Sequence, residues 1–348
     1  MVSYANLDET LESMAEAGPD LKNGMSNHAP MAIEAMCAMG RDDAVTRWLD
    51  KYRAGLAPRP PQFSPITSQD WQAALGDFRH TTDWFEFFHN RLKEQPWREV
   101  LDVWVARLTP GISASATHGV IRTGHAARAV ALADTPVRRR ELADGLASWA
   151  AAFQLLPTDL TSTVTKARPR MAIFEVAVVP PEERKFTGTI TASLERLDEF
   201  PPFAPVIGFA DLSGEPSATI SELTDTFARV YLANAHDTLS TIVFIHGVTS
   251  AAALRSLLPH LRAEIAHDAL RYAWQAGCAL YVAFGHQPVP AREIESPRES
   301  RETLIDMAIA NGDEHAIKFT EACLREHALN PSPAYLAAAR HAFDILKS

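Results

Sequence analysis

Between Ser113 and Ala133 the chain is built largely from alanine, glycine, serine and threonine, and its only charged or titratable groups are His118, Arg122, His125 and Arg128. A helix of small residues lets its neighbours approach closely, so this segment is expected at the centre of the fold. His118 and Arg122 are four apart and His125 lies three beyond, a spacing that puts all three on one face of a helix. Gly119, Gly124 and the alanines leave room beside the rings. That face is either the wall of a polar pocket or a strip that reaches solvent, since a charged arginine among small residues must be paired or exposed.

The rest of the chain also reads as helix. Of 348 residues, 47% are hydrophobic and 22% charged, which suits a globular protein with a sizeable core. Apolar residues recur at helical spacing over 30–52, with Gly40 and the following Arg41-Asp42-Asp43 as the stop of one helix and the start of the next. Helices are expected over 70–89, 97–108, 113–133, 138–153, 191–199, 221–235, 236–250, 251–258, 261–282, 300–311, 313–329 and 332–346. The proline-rich 56–65 reads as a loop, as does 287–290. Met171 to Val179, β-branched and closed by Pro180-Pro181, is either a short strand or an extended connection. The expected fold class is therefore all-α. It is one large helical domain over 1–348 around a central polar cavity, with an irregular or β insert at about 157–190. The aromatic Trp84 to Phe88 is expected in the core.

Several classes of function lack support. The net charge of -10 does not suit a nucleic-acid partner. No apolar run reads as a membrane span, and Met1 to Asp20 is acidic without the apolar region of a secretory signal. Cys37, Cys278 and Cys323 are odd in number and far apart, which fits a reducing cytoplasm and no cysteine-rich zinc site. There is no GxGxxG, no P-loop and no HExxH. Phe244-Ile245-His246-Gly247 invites an α/β-hydrolase reading, but the GxSxG elbow is missing and the surroundings are helical.

What remains is a set of histidines in short words. His28 precedes Pro30 at a helix start, where Asn27 or Ser26 can cap. His246 sits inside an apolar helix, and a lone histidine there is either a satisfied core residue or a ligand. His236, beside Asp237, reads as a helix N-terminal residue. His315 and Lys318 are three apart and project from one side of a helix. Lys318 lies between Ile317 and Phe319; it either snorkels to the surface or is buried and loses its proton. A neutral lysine can take up carbon dioxide as a carbamate, an anionic oxygen ligand. His80, His89, His260, His267, His286, His327 and His341 read as surface or packing residues.

Taken in order, these words resemble the questin oxidase-like family. The resemblance is carried by Asn27-His28 with Met31 to Gly40, Trp48-Leu49-Asp50-Lys51-Tyr52, Trp71 with Leu75-Gly76-Asp77, and Trp84 to Phe88. It continues through His118-Gly119-Val120-Ile121-Arg122, Phe244 to Thr249, and His315-Ala316-Ile317-Lys318, from about Asn27 to His341. It implies an oxidoreductase of the type linked to oxidative cleavage of anthraquinone and polyketide rings, often labelled Baeyer–Villiger oxidases, with dioxygen and a small aromatic molecule as reaction partners. The family label has implied NADPH, for which this chain has no dinucleotide fingerprint. Non-haem Fe(II) suits the residues better, since neutral imidazoles bind it and an anionic oxygen offsets its charge. The resemblance then implies His28, His118, His246 and His315 as metal ligands and Lys318 as a fifth, if carboxylated. Arg122 and His125 fall to the pocket wall, Arg122 to hold a phenolate or carbonyl oxygen; at His125 the fungal members are expected to carry an aromatic. The competing readings are a zinc protein, hydrolytic or non-catalytic, and a helical scaffold whose histidines are structural. Neither the substrate nor the oligomeric state can be read from the chain.

Overall fold

The structure, a computed structural model, describes residues 4–162, 167–184, 186, 188–286 and 294–346; the expected loop at 287–290 lies outside them. The fold class is all-α as expected. The chain divides into two compact units, Met1–Gln154 with Ser256–Arg262, and Leu155–Arg255 with Ala263–Ser348.

In the first unit the helices are α1 (Leu7–Glu12), α2 (Ala29–Ala38), α3 (Val45–Tyr52), α4 (Thr81–Glu94), α5 (Trp97–Leu108), α6 (His118–Leu132) and α7 (Pro136–Ala151). The break at Gly40 falls where expected: Gly40 takes φ +73°, and a 3-10 turn over Asp42–Ala44 leads into α3. The segment 70–89 is not one helix. Two 3-10 turns, Trp71–Ala74 and Phe78–His80, precede α4, because Gly76 turns with φ +73° and the Asp77 carboxylate accepts from the Arg79 N–H.

The one sheet among the described residues is also a correction. Leu56–Pro58, expected as loop, forms β2 and pairs antiparallel with β1, Ala17–Leu21. Prolines at 58 and 19 are tolerated because a two-stranded ribbon is all edge.

Helix α7 packs against both α4 and α6. The expectation of close neighbours for the small-residue helix holds: a Cβ added at Gly119 would stand 2.6 Å from the Trp149 Cα, and one at Gly145 would stand 3.0 Å from the Thr123 Cα. Trp84 and Phe88 are fully buried, stacked on each other and met edge-on by Trp104, so the aromatic stretch is core.

The second unit holds α8 (Pro169–Ala172), α9 (Ile190–Glu195), α10 (Pro216–Asn234), α11 (Thr238–Leu257, whose last two residues group with the first unit), α12 (Ala263–Phe284), α13 (Arg301–Asn311), α14 (Glu314–Leu329) and α15 (Pro333–Ile345). The last three start where the sequence marks them, each behind a capping side chain: Ser300, Asp313 and Ser332 accept from backbone N–H groups of the first turn. No strand forms at 171–179. Pro169 at the first helical position instead starts α8, a 3-10 turn follows over Ile173–Glu175, and Val179 makes a backbone bond to the Val282 carbonyl.

Residues 236–258, expected as two helices, contain the single α11, begun by Asp237, whose carboxylate accepts from the Ser240 N–H. Its span 238–260 is long and apolar enough to cross a membrane, which corrects the reading that no such run exists. Of its most apolar window, 78% is buried inside the protein, as in a core helix. Phe227 and Trp274 fill the interior beside it, and the Phe227 ring lies directly on Gly277.

The two glycines next to the histidines of α6 and α11 should respond oppositely to an added methyl. Gly119→Ala drives a Cβ into the Trp149 backbone and is expected to cost about 1–3 kcal/mol or more. Gly247 has only ordinary contacts, the nearest at 3.6 Å, so Gly247→Ala is expected to stabilise by up to about 1 kcal/mol through helix propensity. Urea denaturation of both variants checks this; equal losses would contradict the close approach of α6 and α7.

Candidate functional site

His118 is the first residue of α6 and is aimed by the turn before it. Ser115, Ala116 and Thr117 all have positive φ, 46°, 54° and 72°. Such a left-handed stretch of non-glycine residues costs roughly 1–2 kcal/mol per residue, and strain of this kind collects at functional sites. The turn brings the Ser115 carbonyl to 2.5 Å from His118 Nδ1. A carbonyl can only accept, so Nδ1 carries the proton and the lone pair sits on Nε2, the arrangement that orients metal-binding imidazoles.

His28, the residue before α2, is held by its backbone: its N–H donates to the Tyr52 hydroxyl at 2.9 Å, while Asn27 caps α2 at Ala29 and donates to the Gly18 carbonyl. The result is a face-inclined pair, with His28 and His118 ring centroids 4.5 Å apart at 30°. His28 is buried.

A second pair forms in the other unit. His246, 1% exposed, donates from Nδ1 to the Ile242 carbonyl at 2.7 Å, one turn back along α11, which again leaves the lone pair on Nε2. His315, in the first turn of α14, stands edge-on to it at 5.6 Å. Asp313 caps that turn through the N–H groups of His315 and Ala316 and lies 3.4 Å from His315 Nδ1.

Lys318 follows one turn on. It does not snorkel: it is 2% exposed, and no hydrogen bond or ion pair reaches it among the described residues. Burial pulls its ammonium pKa down to about 8, although the Glu314 and Asp313 charges work the other way. Buried hydroxyls with no hydrogen-bond partner among the described residues accompany both clusters, Thr117 Oγ1 beside His118 and Thr320 Oγ1 two residues after Lys318. Buried imidazoles with defined tautomers, and an amine close to neutrality, are donor sets that fit a divalent cation.

Arg122 and His125 share the α6 face with His118 but meet different partners. Arg122 makes a two-pronged pair with Glu141 at 2.7 and 2.9 Å and lies 3.8 Å from Asp144, which Arg59 also holds. Burial works against the Arg122 charge, but the Glu141 carboxylate outweighs the lost water and keeps the guanidinium above its ordinary pKa. His125 donates to Glu34 at 2.6 Å.

A cavity of 30 Å³ within the first unit is lined by His118, Arg122, Asn27, Met31, Phe78 and Asp20 among others. It has room for a water or a diatomic molecule and is too small for an aromatic ring. The sequence reading missed Glu34 and Asp20. The signal for Glu34 was there, a lone carboxylate in the apolar run Met31 to Cys37. Asp20 had none. His236, at the start of α11, and the remaining described histidines take surface or packing roles, such as His80 on the buried Asp83.

Compared with known proteins, residues 25–199 and 206–323 match the family model described as questin oxidase-like. No curated protein matches the chain.

Two measurements probe this geometry. Between pH 8 and the ordinary 10.5 for a lysine, the unfolded chain holds the Lys318 proton and the folded chain does not, so stability rises with pH across that window. Below it the fold carries the whole cost of the charge. Metal-free Lys318→Met in bicarbonate-free buffer should therefore be more stable than the parent at pH 7, by on the order of 3 kcal/mol, with the gain shrinking from pH 8 to 10.5. A gain that does not change with pH would mean that folded and unfolded chains release this proton at the same pH, so that burial does not depress it. In the left-handed turn, Ala116→Val should cost about 2 kcal/mol or more. Ala116→Gly should stay within ~1 kcal/mol of the parent, since relieved strain is offset by the lost methyl and a freer unfolded chain. Equal losses in urea would argue against positive φ at that position.

Proposed function

The chain belongs to the questin oxidase-like family, and from that premise we propose that it is a non-haem iron oxygenase acting on an electron-rich phenol or quinone. Family membership implies an oxidase with a small-molecule substrate and dioxygen. The reading beyond that is ours: His28, His118, His246 and His315 hold one iron, with Lys318, as a carbamate, the fifth ligand. The observation that carries it is the state of Lys318, a buried amine with no ion pair among the described residues and a pKa lowered to about 8 by burial. Only the neutral form of an amine attacks carbon dioxide, and burial supplies that form near physiological pH. The resulting anion offsets the charge of a divalent cation, which four neutral imidazoles cannot do.

Bound there, iron supplies the one-electron chemistry that lets dioxygen react with an aromatic ring. The chain's own part is binding and orientation. The Ser115 and Ile242 carbonyls keep the His118 and His246 rings in one tautomer each. Arg122 Nη1 reaches only Ser148 Oγ, at 3.5 Å, beyond the pair with Glu141, and with it would draw a phenolate or carbonyl oxygen to the cavity wall while the ring itself stays outside that small cavity. His125 supports that wall from behind through Glu34. Oxygen insertion beside a carbonyl, of the Baeyer–Villiger kind, with opening of the ring is the expected outcome; the second oxygen atom would leave as water, its two electrons and two protons coming from a separate small-molecule reductant or from the hydroquinone form of the substrate. The absence of a GxGxxG element argues against NADPH as the reductant. The three cysteines are free and buried, which supports a reducing compartment such as the cytoplasm.

Metal analysis of protein purified anaerobically without chelator tests the proposal. The expected result is close to one iron per chain, with oxygen uptake when phenolic or quinone substrates are added. His246→Ala should lose both while its circular dichroism stays helical. Zinc alone, with no oxygen uptake after iron loading, would favour a hydrolytic zinc protein. No metal at all, even after iron is added back, would overturn the reading.

A further inference from the structure

A buried ionic cluster lies between α2 and α6, away from the proposed ligands. Glu34 of α2, 2% exposed, accepts from His125 Nδ1 at 2.6 Å, from Arg128 Nε at 2.7 Å and again from Arg128 Nη2, and from the Tyr4 hydroxyl at 2.5 Å. Burial pushes this carboxyl up, but the Arg128 charge and the His125 hydrogen bond more than reverse it, so Glu34 is an anion. A buried ion pair seldom adds net stability over an apolar contact of the same size, and its best-attested use is to fix register.

The surroundings need such a device. The α2 face that carries Glu34 also carries Pro30, Met31 and Cys37, and Ala129 lies one turn from His125 on α6, all buried. Small residues and an adaptable methionine leave a sliding contact undetermined. On α6, His118 and His125 are seven residues apart, two turns along one face and about 10 Å. On α2, His28 and Glu34 run in the same order. The helices therefore lie parallel and are joined by two rungs, His28 on His118 at 4.5 Å and Glu34 on His125. Slipping α2 by one residue turns it by about 100° and would break both rungs at once.

We infer that Glu34, with His125 and Arg128, is a positioning clamp that sets the register of α2 on α6 and so holds His28 against His118. The inference deepens the iron reading and rests on it for its purpose, but the geometry it claims can be tested without metal.

The test uses the full chain with ¹⁵N-labelled histidine, metal-free, followed by cobalt(II) titration. In Glu34→Gln, the ring-nitrogen resonances of His28 and His118 should move, while those of His246 and His315 stay. The triple variant Glu34→Met, His125→Leu, Arg128→Met replaces the clamp by apolar groups. It should recover thermal stability lost in Glu34→Gln, yet keep the displaced His28 and His118 resonances and bind cobalt at least tenfold more weakly, with an altered visible spectrum. His125→Gln keeps an N–H donor for Glu34 and should keep the parent's His28 and His118 resonances.

Parent-like resonances in a folded Glu34→Gln or triple variant would overturn the clamp, whatever the cobalt result. Should the triple variant not fold, Glu34→Gln and His125→Gln decide the matter by the same resonances. A parent protein that binds no cobalt while its variants show the displaced resonances would sink the metal reading and leave the clamp standing.

Discussion

The first unit depends on how closely α6 can approach its neighbours. Glycine at 119 admits the backbone of Trp149 and glycine at 145 admits that of Thr123. That closeness denies water to the charged groups on the same helix. Arg122, His125 and Arg128 must then find protein partners, and α7 and α2 supply Glu141, Asp144 and Glu34. The face that carries His118 is rigid because its other polar members are spent on these pairs. A helix of ordinary bulk would have stood further off, and the same charges would have been solvated and free to move.

Much of this was legible in the residues. The composition of 113–133 announced a tightly packed central helix, and the expected starts of the last three helices at 300, 313 and 332 fall where Ser300, Asp313 and Ser332 cap them. The spacing of His118, Arg122 and His125 announced a shared face. It could not say that three residues on one face would serve three different neighbours, since partner choice lies in tertiary contacts. Glu34 was passed over for the same reason: a carboxylate in an apolar run has meaning only beside Arg128, 94 positions away.

The misreadings also have local causes. Helix α6 starts at His118 rather than Ser113 because three ordinary residues adopt a left-handed turn that no propensity would assign to them. The segment 70–89 breaks at Gly76, whose N–H is taken by the Ala150 carbonyl of α7. Leu56–Pro58 pairs as a strand although proline-rich, because β1 offers it an edge. Met171 to Val179 has the β-branched content of a strand but no partner strand among the described residues, and a strand without a ladder leaves its backbone unsatisfied.

Helix α11 has a consequence outside the finished fold. Its twenty residues carry His246 through an apolar run of mean hydropathy 1.4 over its best window. In the native protein that surface is covered, but α12, α14 and α15, which belong to the same unit, are synthesised after it. While the chain is still emerging, α11 is an exposed greasy segment that a membrane-insertion machinery or another nascent chain can seize. Delay in making the last hundred residues therefore exposes the very helix that carries the buried histidine. Yield of such a protein would depend on translation speed and chaperone supply as much as on the stability of the completed molecule.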